Sequence, residues 1–401
     1  MKNLPAIKIP GSIRFPVWVV LGMMLASGIS PAKTAEPAEV SQKIELKSLK
    51  FPPLPGSIEG GFAGNMGKVL LVAANPPAPA ADGALSTWTC PPPSDAPSSA
   101  SWSAAKVTVP AWAASTAWEG RWIVAGGMRG GKPVSEVSLL SLDAAGNLTS
   151  TSLPSLPQAV AGAGAAMIGT TLHVFGGVSS WEPAVFEKKL WKLEFTDGVP
   201  ATSWSEGEGF PNFPRAFFAT TSQYGMLCVF GGIGPDLKVS NEAWVYRPTP
   251  IEATSYIGWK QVGDLPHPSA CASAVALGQA SVMLVGGIQD GSIPSLPPPT
   301  TTARKDPRPW LYHTVTDAWC AFDQGISGAN VLALKTDSKV LILDRDGTRE
   351  ASFPRMMRNL ALIDYIVVIG YFVVLAAIGF YFAKQEQFSW GSGCSFCPSS
   401  K

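Results

Sequence analysis

Charge is scarce in this sequence, and histidine is scarcer still. Charged residues make up 15% of the chain, 30 Lys and Arg stand against 29 Asp and Glu, and there are 3 His, for a formal net charge of +1. Such a balance leaves no broad basic surface and argues against a nucleic-acid partner. The 6 cysteines (Cys90, Cys228, Cys271, Cys320, Cys394 and Cys397) are too scattered for a disulfide framework. Cys394-x-x-Cys397 has no second ligand pair to complete a zinc site. No cluster of His, Asp or Glu shows metal-ligand spacing, so no metal or other cofactor is expected. G-x-S-x-G, a P-loop and a G-x-G-x-x-G after a strand are all missing, which removes the nucleophile-elbow and nucleotide-binding readings.

What the chain does have is glycine, proline and tryptophan: 40, 36 and 14 residues, a composition suited to a turn-rich β protein with aromatic anchors. The stretch Leu172–Gly177 (LHVFGG) recurs as Trp122–Gly127 (WIVAGG), Leu227–Gly232 (LCVFGG) and Met283–Gly287 (MLVGG). The glycine pairs begin at Gly126, Gly176, Gly231 and Gly286, in steps of 50, 55 and 55 residues. A period near 50 with a double glycine closing a β-rich unit predicts kelch-type propeller blades of four strands. The glycines fit a strand that turns sharply near a crowded central channel.

Two further copies have lost the pair: LLVAAN at Leu70–Asn75 and VLILDRD at 340–346. Counting both predicts an all-β, six-bladed kelch-type propeller over residues 44–353. Outer strands are marked by Trp191 and Trp204, by Trp244, Tyr246 and Trp259, and by Tyr312 and Trp319. The strand Ile44–Phe51 has no glycine-pair strand before it and is expected to complete the blade that ends near Glu350, closing the ring and removing open edges. Pro76–Ser101 and Gln289–Pro309, rich in Pro, Ala, Ser or Thr, read as long surface loops.

The ends differ in character. Residues 1–28 have basic Lys2, Lys8 and Arg14, the apolar run Val17–Ala26 and small residues, the layout of a secretory signal peptide or, if uncleaved, of an anchor. Either sends the propeller across a membrane. Residues 29–43 read as a linker. Residues 360–383 read as a transmembrane helix, since Tyr365–Ala383 is 19 residues without a charge, enough to cross about 30 Å of hydrocarbon. Residues 384–401 then form a cytoplasmic tail, with the propeller in the periplasm or otherwise outside the cytoplasm.

EGGFAG (59–64), LPSLP (153–157), FPRAFFAT (213–220), ALGQ (276–279) before MLVGG, and LYHTVTDAW (311–319) resemble the cyclically permuted mutarotase branch of the kelch proteins. The N-acetylneuraminate epimerases, which are sialic acid mutarotases, are the best-known relatives. The stretch 362–385 resembles the first helix of sodium:solute symporters, to which some relatives are fused, and the resemblance implies a chain truncated after that helix. It further implies a small sugar, such as sialic acid, as ligand, and a membrane and a sodium:solute symporter as partners.

Mutarotation needs a base for the anomeric hydroxyl and an acid for the ring oxygen, and sialic acid adds a carboxylate that a guanidinium would hold. Arg215 matches the family's inner-strand arginine and is the expected substrate contact. The family keeps a Gly-Glu, then Pro-Gly-x-Arg, in its last degenerate blade; here the sequence is LDRDGTRE (343–350). Arg349 matches the trailing arginine as a second substrate contact, and Asp344 and Asp346 stand as candidate catalytic residues in place of the family's acid/base glutamate, an aspartate serving as a shorter base, although Asp-Arg-Asp-Gly also reads as an exposed turn. His173, His267 and His313 read as structural, the last paired with Asp317 or Thr314. The loss of Gly-Glu keeps an alternative open: a non-catalytic, membrane-anchored propeller that binds protein or carbohydrate.

Overall fold

Each LxVxGG stretch forms the second strand of a blade, with its alternating apolar side chains packed to both sides. A computed structural model describes residues 41–353 except 79, 94–99, 250–255, 279, 299–305, 327, 329 and 337–338, and separately describes residues 369–380. Six antiparallel sheets succeed one another around a central channel. From the channel outward, blade 1 is Ser57–Asn65, Leu70–Asn75, Leu85–Cys90 and Ser103–Val109; blade 2 is Ala114–Trp118, Arg121–Ala125, Val137–Leu142 and Leu148–Leu153. Blade 3 is Gly164–Ile168, Thr171–Phe175, Leu190–Thr196 and Ser205–Glu206; blade 4 is Ala219–Gln223, Met226–Phe230, Ala243–Arg247 and Gly258–Val262. Blade 5 is Ala270–Leu277, Ser281–Ile288, Trp310–His313 and Ala318–Phe322, and blade 6 is Leu332–Lys335, Val340–Asp344, Gly347–Ser352 and Glu45–Ser48.

Both glycine-less copies therefore hold the place their period assigned, and the early strand completes blade 6. Ring closure reaches one step further back than expected. Ser41–Gln42, inside the linker as read from sequence, run parallel to the outer strand of blade 5. Asp323 ties this join, its amide bonding Gln42 O at 3.0 Å and its carboxylate accepting the Ile44 amide at 2.9 Å. Another revision concerns Pro76–Ser101. It contains a full strand, Leu85–Cys90, because LSTWTC buries Leu85, Thr87, Trp88 and Cys90 while the prolines and serines around it mask the pattern.

The glycine pairs do more than turn the chain. In three of the four pairs the second amide reaches the carbonyl that leads into the next blade: Gly127 to Val160 at 2.7 Å, Gly177 to Arg215 at 3.0 Å and Gly232 to Ser269 at 2.7 Å. A side chain has no room there. A Cβ on Gly231, whose φ is +66°, would stand 1.9 Å from Ser269 O. On the outer side, tryptophan indoles bind blades in the reverse direction: Trp102 to Pro52 O, Trp204 to Pro154 O, Trp259 to Glu208 O and Trp319 to Gly263 O, at 2.8–3.2 Å. Apolar clusters fill the spaces between, such as Leu172, Val174 and Leu193 against Ile123, Ala125 and Val137.

Residues 369–380 form a helix in a unit of its own, with Ile369, Tyr371, Phe372 and Phe380 at least 60% exposed. Among the described residues no helix is long and apolar enough to cross a membrane. The expected span 360–383 runs beyond the described residues at both ends, while the signal peptide 1–28 and the tail 384–401 lie wholly outside them.

Two glycines separate contact from conformation. Gly225 has φ +69° in a tight turn with nothing near its missing Cβ. Gly225→Ala is expected to cost only the left-handed backbone penalty, about 1–3 kcal/mol, whereas Gly231→Ala adds the collision with Ser269 O. Urea midpoints of the two variants check this, and equal losses would mean that the inter-blade contact contributes nothing.

Candidate functional site

The six innermost strands enclose a channel of about 460 Å³. They begin at the face that carries the glycine pairs and end at the face of the tight turns, as the register Ala114↔Ala125 and Trp118↔Arg121 shows for blade 2. Where strands converge on an axis, only short side chains fit, and the wall is built from residues such as Ala114, Thr116, Gly164, Thr220, Ala274 and Ala333. No Asp, Glu, His or Arg lines it among the described residues; Lys335 is its one charged residue, at the turn face.

At the glycine face the strands are led in by a series of residues with positive φ: Gly60, Trp112, Gly162, Phe217 and Cys271, at +65°, +56°, +65°, +58° and +56°. Each later amide donates to the carbonyl of the one before, at 2.7, 2.8, 2.8 and 2.7 Å, which makes a collar across five blades. At blade 6, side chains join the inner strands instead, the second of these bonds at the turn face. Ser273 Oγ accepts the Ala333 amide at 3.0 Å, and Asn65 Nδ2 donates to Lys335 O at 3.1 Å. The glycines in the collar make room for rings: a Cβ on Gly60 would meet the Trp112 indole at 2.9 Å, and one on Gly162 the Phe217 ring at 2.7 Å. Trp112 and Phe217 touch edge to face at 5.2 Å, Trp181 stacks on Phe217, and Val178, Ile233, Ile288 and Leu296 pack around them. This end of the channel is spanned by an apolar cap.

None of the four expected site residues lines the channel. Arg215 is 5% exposed and sits in blade 4's lead-in segment. Its Nη2 bonds Glu242 Oε2 at 2.5 Å, its Nη1 reaches Gly231 O at 3.1 Å and Ser240 Oγ at 3.2 Å, and Phe210 lies 4.8 Å beneath the guanidinium. Burial lowers the Arg215 pKa, which Glu242 counters. Burial would raise the pKa of Glu242, yet hydrogen bonds from Trp244 and Arg215 hold it below the ordinary range. The pair braces the glycine turn Gly231 against the next strand, a structural task.

The other three come together in a single turn of blade 6. Asp344, only 2% exposed, ends the second strand where other blades have their glycine pair, and Arg349 Nη1 stands 3.0 Å from its Oδ2. The contact is ionic without hydrogen-bond alignment, and Asp344 Oδ1 accepts the Asp346 amide at 2.9 Å. Desolvation raises the Asp344 pKa, opposed by Arg349. Asp346 is exposed, 3.9 Å from Arg349 Nη2. So the Asp-Arg-Asp-Gly run is a turn, with one aspartate turned inward.

The histidines occupy structural positions. His173 is buried between blades 3 and 4, its pKa pushed down to about 4 by burial, with Nδ1 against Thr171 O at 3.1 Å. His313 meets Thr316 Oγ1 at 2.9 Å, not the expected Asp317 or Thr314, because Asp317 accepts the Tyr312 hydroxyl and the Gly263 amide instead. His267 lies 3.6 Å from Asp306, which Arg308 also grips. Sequence reasoning missed Glu242, although the repeat offered a signal: Glu136 and Glu242 stand at the same point after their glycine pairs, each accepting the first glycine's amide through its carbonyl.

No protein-family model matches the sequence, and no curated protein does. Among solved structures the chain is similar to that of YjhT, with a TM-score of 0.54 and 14% identity over 76% of this chain and 95% of that one. At that identity the likeness carries the propeller fold alone.

Both ion pairs can be tested by stability. Arg215→Met should destabilise the chain by about 3 kcal/mol, the low end for a broken buried pair since Glu242 keeps some solvent, and Arg215→Met with Glu242→Gln should recover part of it; urea unfolding of both variants is the check. For Asp344, a raised folded pKa means its favourable contribution is present when the group is protonated and is lost as pH rises through that pKa. The stability of Asp344→Asn minus that of the parent should therefore grow as pH rises above the ordinary aspartate value of about 3.9, and a flat difference would overturn this assignment.

Proposed function

We propose that this chain is a binding propeller for a small polyhydroxylated ligand, with an acidic sugar such as sialic acid as the first candidate, and that it does not catalyse mutarotation. The observation that carries this reading is the state of the expected catalytic set. Asp344 and Arg349 are paired with each other, Arg215 is committed to Glu242, and among the described residues the channel wall has no carboxylate or imidazole to move a proton to a ring oxygen. What the wall does offer suits binding: hydroxyls of Ser115, Thr116, Thr221 and Ser222, amides of Asn65 and Asn330, and the apolar Trp122 against which a sugar ring can lie. The resemblance of the repeat motifs to the sialic acid mutarotases supplies the ligand class.

The apolar run 360–383 is proposed to insert into a bilayer and hold the propeller outside the cytoplasm, where the sugar could pass to a sodium-coupled carrier. The supporting observation is a helix at 369–380 whose large apolar side chains lie open on every side.

The test has two arms on the full chain in detergent. NMR exchange between the anomers of N-acetylneuraminate should run at the buffer rate; acceleration would restore the enzyme reading. The same sugar at about 100 times its Kd should stabilise the chain by about 2.7 kcal/mol in thermal unfolding, whereas an unmoved Tm would count against binding.

A further inference from the structure

The channel has two unlike ends. At the glycine face, Trp112 and Phe217 meet edge to face at 5.2 Å, and each ring lies where a neighbouring blade would otherwise carry a Cβ. Phe217 is 4% exposed, and its ring belongs to the same cluster as Val178, Ile233 and Ile288, contributed by the segments just after three different glycine pairs. The cap these side chains form is apolar, and the polar side chains that line the channel next to it are Ser115 and Asn330. At the turn face the inner strands finish in Asn65, Ala117, Ser222, Ala276 and Lys335, all of which line the channel. Lys335 is exposed, and its backbone carbonyl is fixed by Asn65 Nδ2 at 3.1 Å, so the stem of the side chain starts from an anchored point.

We infer that the channel is loaded from the turn face and that its ligand carries a negative charge that seats on Lys335, beside the Asn65 amide, with the Ser222 hydroxyl two blades away on the same rim. The chemistry behind this is one of elimination by charge. No carboxylate lines the channel among the described residues to repel an anion, and a single ammonium stands at its polar end. Because Lys335 is exposed, the contact is modest in strength and weakens with salt. The inference rests on the binding reading above and adds to it the face of access and the residue that reads charge.

Trp112 and Trp122 both line the channel, so intrinsic fluorescence of the full chain reports occupancy. N-acetylneuraminate is titrated against neutral N-acetylmannosamine, at low and high salt, into the parent, Lys335→Gln and Ser222→Trp. The parent should favour the acidic sugar, Lys335→Gln should weaken that sugar by about three- to fivefold and leave the neutral one alone, and high salt should reduce the parent toward the variant. Ser222→Trp should block both sugars at the turn face while circular dichroism stays unchanged. If Lys335→Gln keeps the full preference for the acid, or if Ser222→Trp binds as the parent does, the inference falls while the binding reading stands. If neither sugar binds the parent, both fall together.

Discussion

One hydrogen bond, repeated, sets the form of this protein. At Gly127, Gly177 and Gly232 the amide of the second glycine donates to the carbonyl that introduces the next blade, and the geometry brings the Ser269 carbonyl to within 1.9 Å of where a Cβ on Gly231 would stand. Where this bond is made, the docking position must have no side chain and must take a positive φ. The consequences spread outward from that bond. It fixes the angle between neighbours, brings the inner strands close enough to demand Ala, Ser, Thr and Gly on the channel wall, and leaves Arg215 and Glu242 to brace the turn from behind.

Blades 1 and 6 lack the pair, and the ring is secured there by other means. Ser273 and Asn65 reach across blade 6's two inner seams, and Trp102 binds Pro52 O on the outside. Side chains thus do at the junction what backbone does elsewhere. The same substitution explains the fate of the expected catalytic aspartate. In place of glycine at the end of its strand, Asp344 is drawn inward, and it is buried against Arg349 instead of being offered to a ligand.

The blade count was legible in the sequence because burial on both faces and a steric ban on Cβ leave a mark, LxVxGG, that survives from copy to copy. Even the two copies without glycine kept the apolar alternation. Leu85–Cys90 was hidden because only six residues of strand sit among prolines and serines, and Ser41–Gln42 because a two-residue parallel pairing depends on a partner 280 positions away in register with Ala321 and Phe322. The site was less readable. Motif position put Arg215 on an inner strand, whereas it lies in the segment that leads into one, and which way its guanidinium turns is decided by Glu242, Ser240 and Phe210, three residues that only the fold assembles. The cap of Trp112, Phe217 and Trp181 joins two lead-in segments and a hairpin through aromatic contacts that no local pattern encodes.

The double fastening at residues 41–48 bears on the order of events during biogenesis. Gln42 bonds to Asp323, and Glu45–Ser48 complete a sheet whose other members begin at Leu332, so the first of the described strands to emerge are the last to find partners. Blades 1 to 4 can form in succession from local hairpins, each small in contact order, whereas the closing step joins segments separated by nearly the whole propeller. Until that moment the nascent chain displays an unpaired edge at each end. A ribosome pausing before residue 352 would hold an open arc of blades rather than a ring, and protection of that arc against self-association falls to whatever accompanies the chain as it emerges.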